Sequence, residues 1–270
     1  ILQAALRRPA VLAKMVATVD VLSGGRIEPC FGRGNAYPDV YTFFGQSADE
    51  ASKRFAENVR LVVDLWAAES PLSWEGAFRA PLVDVEVRPR PVQRPTPPLW
   101  IGGGLSSASV DLAVELGAGL MLPTVFGNWD LFVPAVERYV ERWAAAGRPT
   151  ERRRIGCCSH AFVGAESSAV RARWAPRYLH YLESVNQWIE QSAQRAGMPA
   201  VSLPAADFDA LTTTIAICGS PDEVVDRMGQ AAEQLHLDTH VLMFDMGGVP
   251  SSELVEAIEL TGAEVLPQLS

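Results

Sequence analysis

Five short apolar runs, residues 26–32, 98–102, 119–123, 155–163 and 240–245, alternate with segments of helical periodicity, and no hairpin signal joins one run to the next. Strands separated by helices run parallel, because each helix carries the chain back to the end from which the next strand starts. The order therefore predicts an α/β fold on a parallel sheet. Eight such units close a (β/α)8 TIM barrel, so five of them behind an apolar opening at residues 1–6 predict a barrel lacking its first two to three strands. An open doubly wound sheet is the alternative. Ile1 is not an initiating methionine, and further residues are expected upstream. At 270 residues, 48% of them apolar, the chain reads as one barrel domain, 1–270, with 37–97 and 165–218 as insertions.

Local signals mark the helix boundaries. Pro9 opens the first helix and Gly24-Gly25 closes it, with Leu12, Met15, Val16, Val19 and Leu22 read as the buried face. The run 26–32 contains Pro29, which cannot donate to a sheet ladder. Residues 37–45 are aromatic and irregular, after which Ser47 and Glu50 predict a capping box for a helix burying Phe55, Val59, Val62 and Trp66. Prolines crowd residues 70–98, around a short hairpin near Trp74-Glu75-Gly76. Later helices are predicted to bury Phe132, Val136, Tyr139 and Trp143, then a stripe of Trp174, Tyr178, Tyr181 and Trp188, then Val224, Met228 and Leu235 behind the capping box Ser220-Pro221-Asp222-Glu223. The final helix, 253–266, presents Leu254, Ile258, Thr261 and Val265.

A net charge of −9 argues against nucleic acid or an anionic membrane as partner, since both call for a basic face; a small-molecule substrate fits better. No stretch approaches the roughly 18 apolar residues of a membrane span, and Arg7, Arg8, Lys14 and Asp20 break up the start where a signal peptide needs a clean apolar core, so the expected location is the cytoplasm. Cys30, Cys157, Cys158 and Cys218 form no CxxC pair and are expected to be reduced and buried. His236 and His240 stand at ligand spacing but at a helix-to-strand junction, so no metal site is read there. Lys14 and Lys53 fall on helices, which leaves no strand-end lysine for Schiff-base chemistry, and there is no G-x-S-x-G elbow. His160 reads as a satisfied core histidine, with a polar group at the barrel mouth as the functional alternative.

In either fold, ligands bind beyond the C-terminal ends of the strands. The run ending at Gly102 continues Gly103-Gly104-Leu105-Ser106-Ser107, where missing side chains let backbone N–H groups approach an oxygen and serines stand at a helix N-terminus that favours an anion. Arg33, between Gly32 and Gly34, has a guanidinium free to make two parallel hydrogen bonds to a phosphate. Together they read as a cradle for one phosphate. The plainer reading, a tight turn whose serine caps its helix and an arginine at the surface or in an ion pair, stays open at this stage. A dinucleotide site is disfavoured, because Gly102-x-Gly104-x-x-Ser107 lacks the third glycine and the next strand ends without an acidic residue for a ribose.

Leu22-Ser23-Gly24-Gly25-Arg26, running on to Gly32-Arg33-Gly34, resembles the signature of bacterial luciferase-like flavin monooxygenases and their deazaflavin-dependent relatives. The resemblance continues in order through the Phe55 to Trp66 helix, Pro91-Val92-Gln93, the approach from Pro98 to Gly103, Gly219 to Val224, and Phe244-Asp245-Met246-Gly247-Gly248. It implies a (β/α)8 barrel of luciferase-like type with a reduced flavin at its mouth. Arg33 then meets the flavin phosphate, and Gly34, Gly103, Gly104, Ser106 and Ser107 complete the cofactor contacts. Pro29 and Gly104, where a serine is common, depart from the family pattern. The activity implied is a flavin-dependent monooxygenase using reduced FMN and O2 on a small organic substrate. F420-dependent hydride transfer is the alternative, and a non-catalytic subunit or fragment a third. A homodimer and a flavin reductase are the implied protein partners. The family's histidine near the flavin ring lies on strands upstream of this sequence, so no catalytic residue is named. Tyr37, Tyr41, Phe43, Phe44, Trp100, Phe126 and Trp129 are candidates to line a substrate pocket.

Overall fold

The computed structural model describes residues 1–34, 36–200, 203 and 208–269. Asn35 of the Arg33 loop and the Pro-Ala-Ala-Asp loop at 204–207 lie outside the described residues. The chain divides into two compact units, residues 1–120 with 142–153, and residues 121–141 with 154–270. Both are α/β with parallel strands, as the element order predicts.

The first unit opens with β1 (Leu2–Gln3) and α1 (Pro9–Ser23), followed by β2 (Cys30–Gly32). β1 is absent from the five predicted runs because two residues show no period. β2 is shorter than the predicted 26–32: Pro29 lends its carbonyl to Trp100 N at 2.9 Å but has no hydrogen to return, so the ladder starts after it. The predicted face of α1 also needs correction. Met15, Val19 and Leu22 are exposed, Leu22 by 80%, and the buried face is Leu12, Ala13, Val16, Ala17 and Asp20. Two alanines there allow close approach to α3 (Ala51–Ala67), whose Trp66 Nε1 donates to Ala13 O at 3.0 Å. Asp20, fully buried, accepts from Val92 N (2.7 Å), Gln93 N (3.0 Å) and Gln93 Nε2 (2.8 Å). That carboxylate anchors the segment returning toward the next core strand.

Residues 37–45, expected to be irregular, contain the short helix α2 (Asp39–Phe43). Ser47 accepts from Asp49 N and caps a 3-10 turn instead of the predicted capping box, while Glu50 pairs with Arg54 at 2.8 Å. α3 buries Phe55, Val59, Val62 and Trp66 as predicted. The hairpin near Gly76 is present as β3 (Leu72–Trp74) against β4 (Leu82–Val85). β5 (Trp100–Gly102) pairs in parallel with β2, in the register Cys30↔Trp100 and Phe31↔Ile101, and leads into α4 (Ser107–Leu116). β6 (Gly119–Leu122) carries the chain from the first unit to the second.

After α5 (Val133–Ala145), β7 (Ile155–Val163) falls on the predicted residues. α6 (Ser167–Ala196) and α7 (Phe208–Thr214) lead to β8 (Ile217–Gly219), a strand missed in the sequence because three residues before a capping box leave no pattern. α8 (Pro221–Leu235) starts at that box, with Ser220 and Glu223 bonded reciprocally. β9 (Thr239–Met243) and α9 (Ser251–Leu260) follow. β7 pairs in parallel with β9 from Gly156↔Thr239 to His160↔Met243, and with β8 from Ala161↔Ile217. On α6 the stripe holds for Trp174 and Tyr178, stacked 4.3 Å apart, and then runs through Leu182, Val185 and Ile189; Trp188 is exposed. The last helix passes into a π turn at Thr261–Val265, with Thr261 and Val265 buried but Ile258 exposed. All four cysteines are free, yet only Cys157 and Cys218 are buried as expected; Cys30 and Cys158 are half-exposed. No described helix is long and apolar enough to cross a membrane.

Candidate functional site

Because β2 and β5 are neighbours in parallel register, the loops beyond their C-terminal ends leave the sheet side by side, both within the first unit. Arg33 Nη2 reaches to 3.4 Å from Ser106 Oγ, the outer limit of a hydrogen bond. The two features that sequence reasoning joined across 73 positions are thus in contact.

Each side of the contact is held by its own surroundings. The Tyr41 hydroxyl, on a buried side chain of α2, donates to the Arg33 carbonyl and fixes the backbone from which the guanidinium extends. Burial raises the Tyr41 phenol and the nearby Arg33 charge partly offsets this, so the phenol remains a neutral donor. Gly34 sits at φ +77°, where an added Cβ would lie 2.2 Å from Gln3 Nε2 of β1. Across the site, a Cβ on Gly103 would lie 2.5 Å from the Ser109 Cβ. Gly103→Ala is therefore expected to displace the start of α4 and destabilise the protein by about 1–3 kcal/mol. Urea unfolding checks this; an unchanged midpoint would contradict the packing described.

Ser106 stands at the N-cap position of α4 but makes no capping hydrogen bond to the helix. Its hydroxyl turns instead toward Arg33 and lies 3.2 Å from Ser109 Oγ. The plainer reading of the turn, a serine that caps its own helix, is therefore not what this serine does. Ser107, the first helical residue, is exposed, and Gly104 takes φ +134°, which a side chain rarely adopts. A guanidinium, two or three hydroxyls and a helix's opening amides all present hydrogens, which suits an anion and repels a cation. Sequence reasoning missed Ser109 and gave Tyr41 a different role. Ser109 was findable, since residues three apart on a helix share a face with the N-cap serine.

The proposed pocket aromatics divide. Tyr41, Trp100 and Trp129 are buried packing residues: Trp100 Nε1 donates to Glu28 at 2.8 Å, and Trp129 lies under the Arg227 guanidinium at 4.2 Å. Phe43 and Phe44 are exposed, and Tyr37 and Phe126 half-buried. A cavity of about 500 Å³ between α3, α4 and the β3–β4 hairpin is a poorer anion site, because Arg60 on its wall is already matched by Glu115 through bonds of 2.6 and 2.7 Å. His236 ends α8, while His240 on β9 bonds Ser159 at 3.0 Å. His160 is a core histidine, 3% exposed, bonded to the Tyr178 hydroxyl at 2.9 Å.

Fold and cradle together define a parallel α/β protein organised around the C-terminal ends of its strands. The chain belongs to the luciferase-like monooxygenase family, whose profile matches residues 1–239. Its fold is that of the family's barrel enzymes. It is 29% identical to the monooxygenase RslO1 from Streptomyces bottropensis, superposing with a TM-score of 0.80 over 98% of this chain and 76% of that one. Over 142 residues, 49% of this chain and 40% of the relative, it is 33% identical to an F420-dependent glucose-6-phosphate dehydrogenase of Amycolatopsis mediterranei. Over 108 residues, 39% of this chain and 29% of the relative, it is 32% identical to an FMNH(2)-dependent dimethylsulfone monooxygenase of Pseudomonas putida.

Proposed function

We propose that the protein is a monooxygenase that uses reduced FMN and O2 on a small organic substrate, the reduced flavin coming from a separate reductase. The observation that carries this reading is the Ser106 hydroxyl, which caps no backbone amide of its helix and lies within reach of the Arg33 guanidinium. FMN ends in a phosphate, and a cradle of donors, with glycines whose missing side chains open the backbone, fits that group. Arg33 would clamp it through two N–H groups, Gly34, Gly103 and Gly104 would admit close backbone approach, and Ser106 and Ser107 would add hydroxyls. Bound FMN supplies the redox chemistry with oxygen. The chain's own residues would bind and orient it. Family membership and the FMNH(2)-dependent relative support this choice.

The second reading is hydride transfer with F420, favoured by the similarity to the Amycolatopsis enzyme. A single barrel domain over 1–270, with 37–97 and 165–218 inserted, and a homodimer belong to the same proposal; the exposed Val11, Met15, Val19 and Leu22 of α1 support a partner-facing surface. Mixing the purified protein with each reduced cofactor, under oxygen for FMN and with an oxidised acceptor for F420, separates the two. Arg33→Ala is expected to weaken FMN binding roughly 100-fold, the loss of a charged bidentate contact. Wild-type affinity in that variant would remove the phosphate clamp.

A further inference from the structure

We propose that the cavity between α3, α4 and the β3–β4 hairpin is a second binding site, one that takes a small organic ammonium ion with an aromatic body. It is framed by two helices and the hairpin, and it stands whether or not the protein binds FMN. Its volume of about 500 Å³ is that of a small-molecule pocket. At the hairpin tip, a side chain on Gly76 would lie 2.3 Å from the Trp74 ring and 2.6 Å from the Glu57 carboxyl carbon, so an aromatic ring and a carboxylate meet there at one place. That pair suits an ammonium, because the π face of an indole attracts a cation and the carboxylate carries the opposite charge.

Both groups are held before any ligand arrives. The Trp74 N–H is bonded to the Asp64 carboxylate, while Glu57 accepts from Ala77 N at 2.7 Å and from Phe78 N at 3.0 Å, which ties the tip to α3. Little ordering is left for the ligand to impose. The remaining charges decide its sign. Arg60 is matched by Glu115 through bonds of 2.6 and 2.7 Å, and Arg142 reaches Asp111 at 3.5 Å. Lys53 is then set against both Glu57 and Glu75, an excess of negative charge that an anion would add to and an ammonium removes. Phe55, Ala56 and Leu112 supply apolar wall for the body of the ligand.

Calorimetric titration with two probes of one shape tests the site. Phenethylamine is an ammonium at pH 7, and hydrocinnamate has a body of equal length ending in a carboxylate. The amine is expected to bind at one equivalent, and the acid roughly tenfold more weakly or less. Ala108→Phe, at an exposed lining residue of α4, fills the space and should abolish amine binding. Trp74→Leu should weaken it roughly tenfold. Absence of amine binding, equal binding of amine and acid, or unaltered amine binding in Ala108→Phe would each overturn the proposal. The comparison of amine with acid uses the wild-type protein alone, so it holds even if a variant fails to fold, which circular dichroism of the variants reveals.

Discussion

Acidification from pH 6.5 to pH 4 is expected to remove about 5 kcal/mol of folding stability through two histidines of the second unit, His160 and His240. Burial lowers both from 6.5 to about 4, and the Asp245 charge only partly offsets this for His160. The unfolded chain, titrating near 6.5, therefore binds these protons before the folded one does. The stabilisation is complete above pH 6.5, declines as the pH falls, and is gone below about 4. The shift corresponds to about 3 kcal/mol for His160 and somewhat less for the half-buried His240.

The hydrogen bonds decide which nitrogen of the neutral His240 ring carries the hydrogen. Thr124 Oγ1 donates its only proton to Cys158 O at 2.7 Å, so Ser159 must donate across its 3.0 Å contact with Thr124. His240 Nε2 must then donate to Ser159 at 3.0 Å, and the ring sits as the neutral Nε2–H tautomer. A second proton would fall on Nδ1, at the cost in desolvation that lowers the pKa. Against a typical total stability of roughly 5–15 kcal/mol, the loss is large. Urea midpoints of wild type and a His160→Gln/His240→Gln variant, compared at pH 7 and 4.5, provide the check. Parallel losses in the two proteins would show that other groups drive acid unfolding.

Asp20→Ala is expected to destabilise the protein by about 3–5 kcal/mol, well beyond an ordinary surface change. The carboxylate is wholly buried and accepts from two backbone amides and the Gln93 side chain. Alanine would take the acceptor from two part-buried backbone amides and from one hydrogen of the Gln93 side chain, and asparagine would set an NH2 group against one of them. Because Val92 and Gln93 precede β5, the same variant should also loosen the strand end that leads to Ser106. Chemical unfolding gives the number, and a loss below about 1 kcal/mol would mean that water satisfies the donors instead.

Much of this architecture was legible in the residues. The Ser220 capping box, the glycine stop after α1 and the full extent of β7 were all readable, because each is set by chemistry between near neighbours. The buried side of α1 was not: counting large apolar residues favoured Met15 and Val19, whereas the neighbouring helix required the small face with Ala13 and Ala17. β1 and β8 were invisible for another reason, since two or three residues become a strand only when a partner strand lies beside them. At the candidate site, Arg33 and the Gly102 to Ser107 turn were recognisable as strand-end residues, but Tyr41 and Ser109 take their roles from contacts.

The amino-acid order alone determined the parallel α/β plan, the strand ends at which a ligand can bind, and the residue types that favour an anion there. Folding in space decided that Asp20 would meet Val92 across 72 positions, that Arg33 would meet Ser106 across 73, and that His240 would meet Ser159 across 81. Helix starts and turns follow from torsional preference and hydrogen bonds within a few residues. The direction of a buried proton or the partner of a buried charge depends on which distant groups packing brings within 3 to 4 Å, and local sequence carries no record of that.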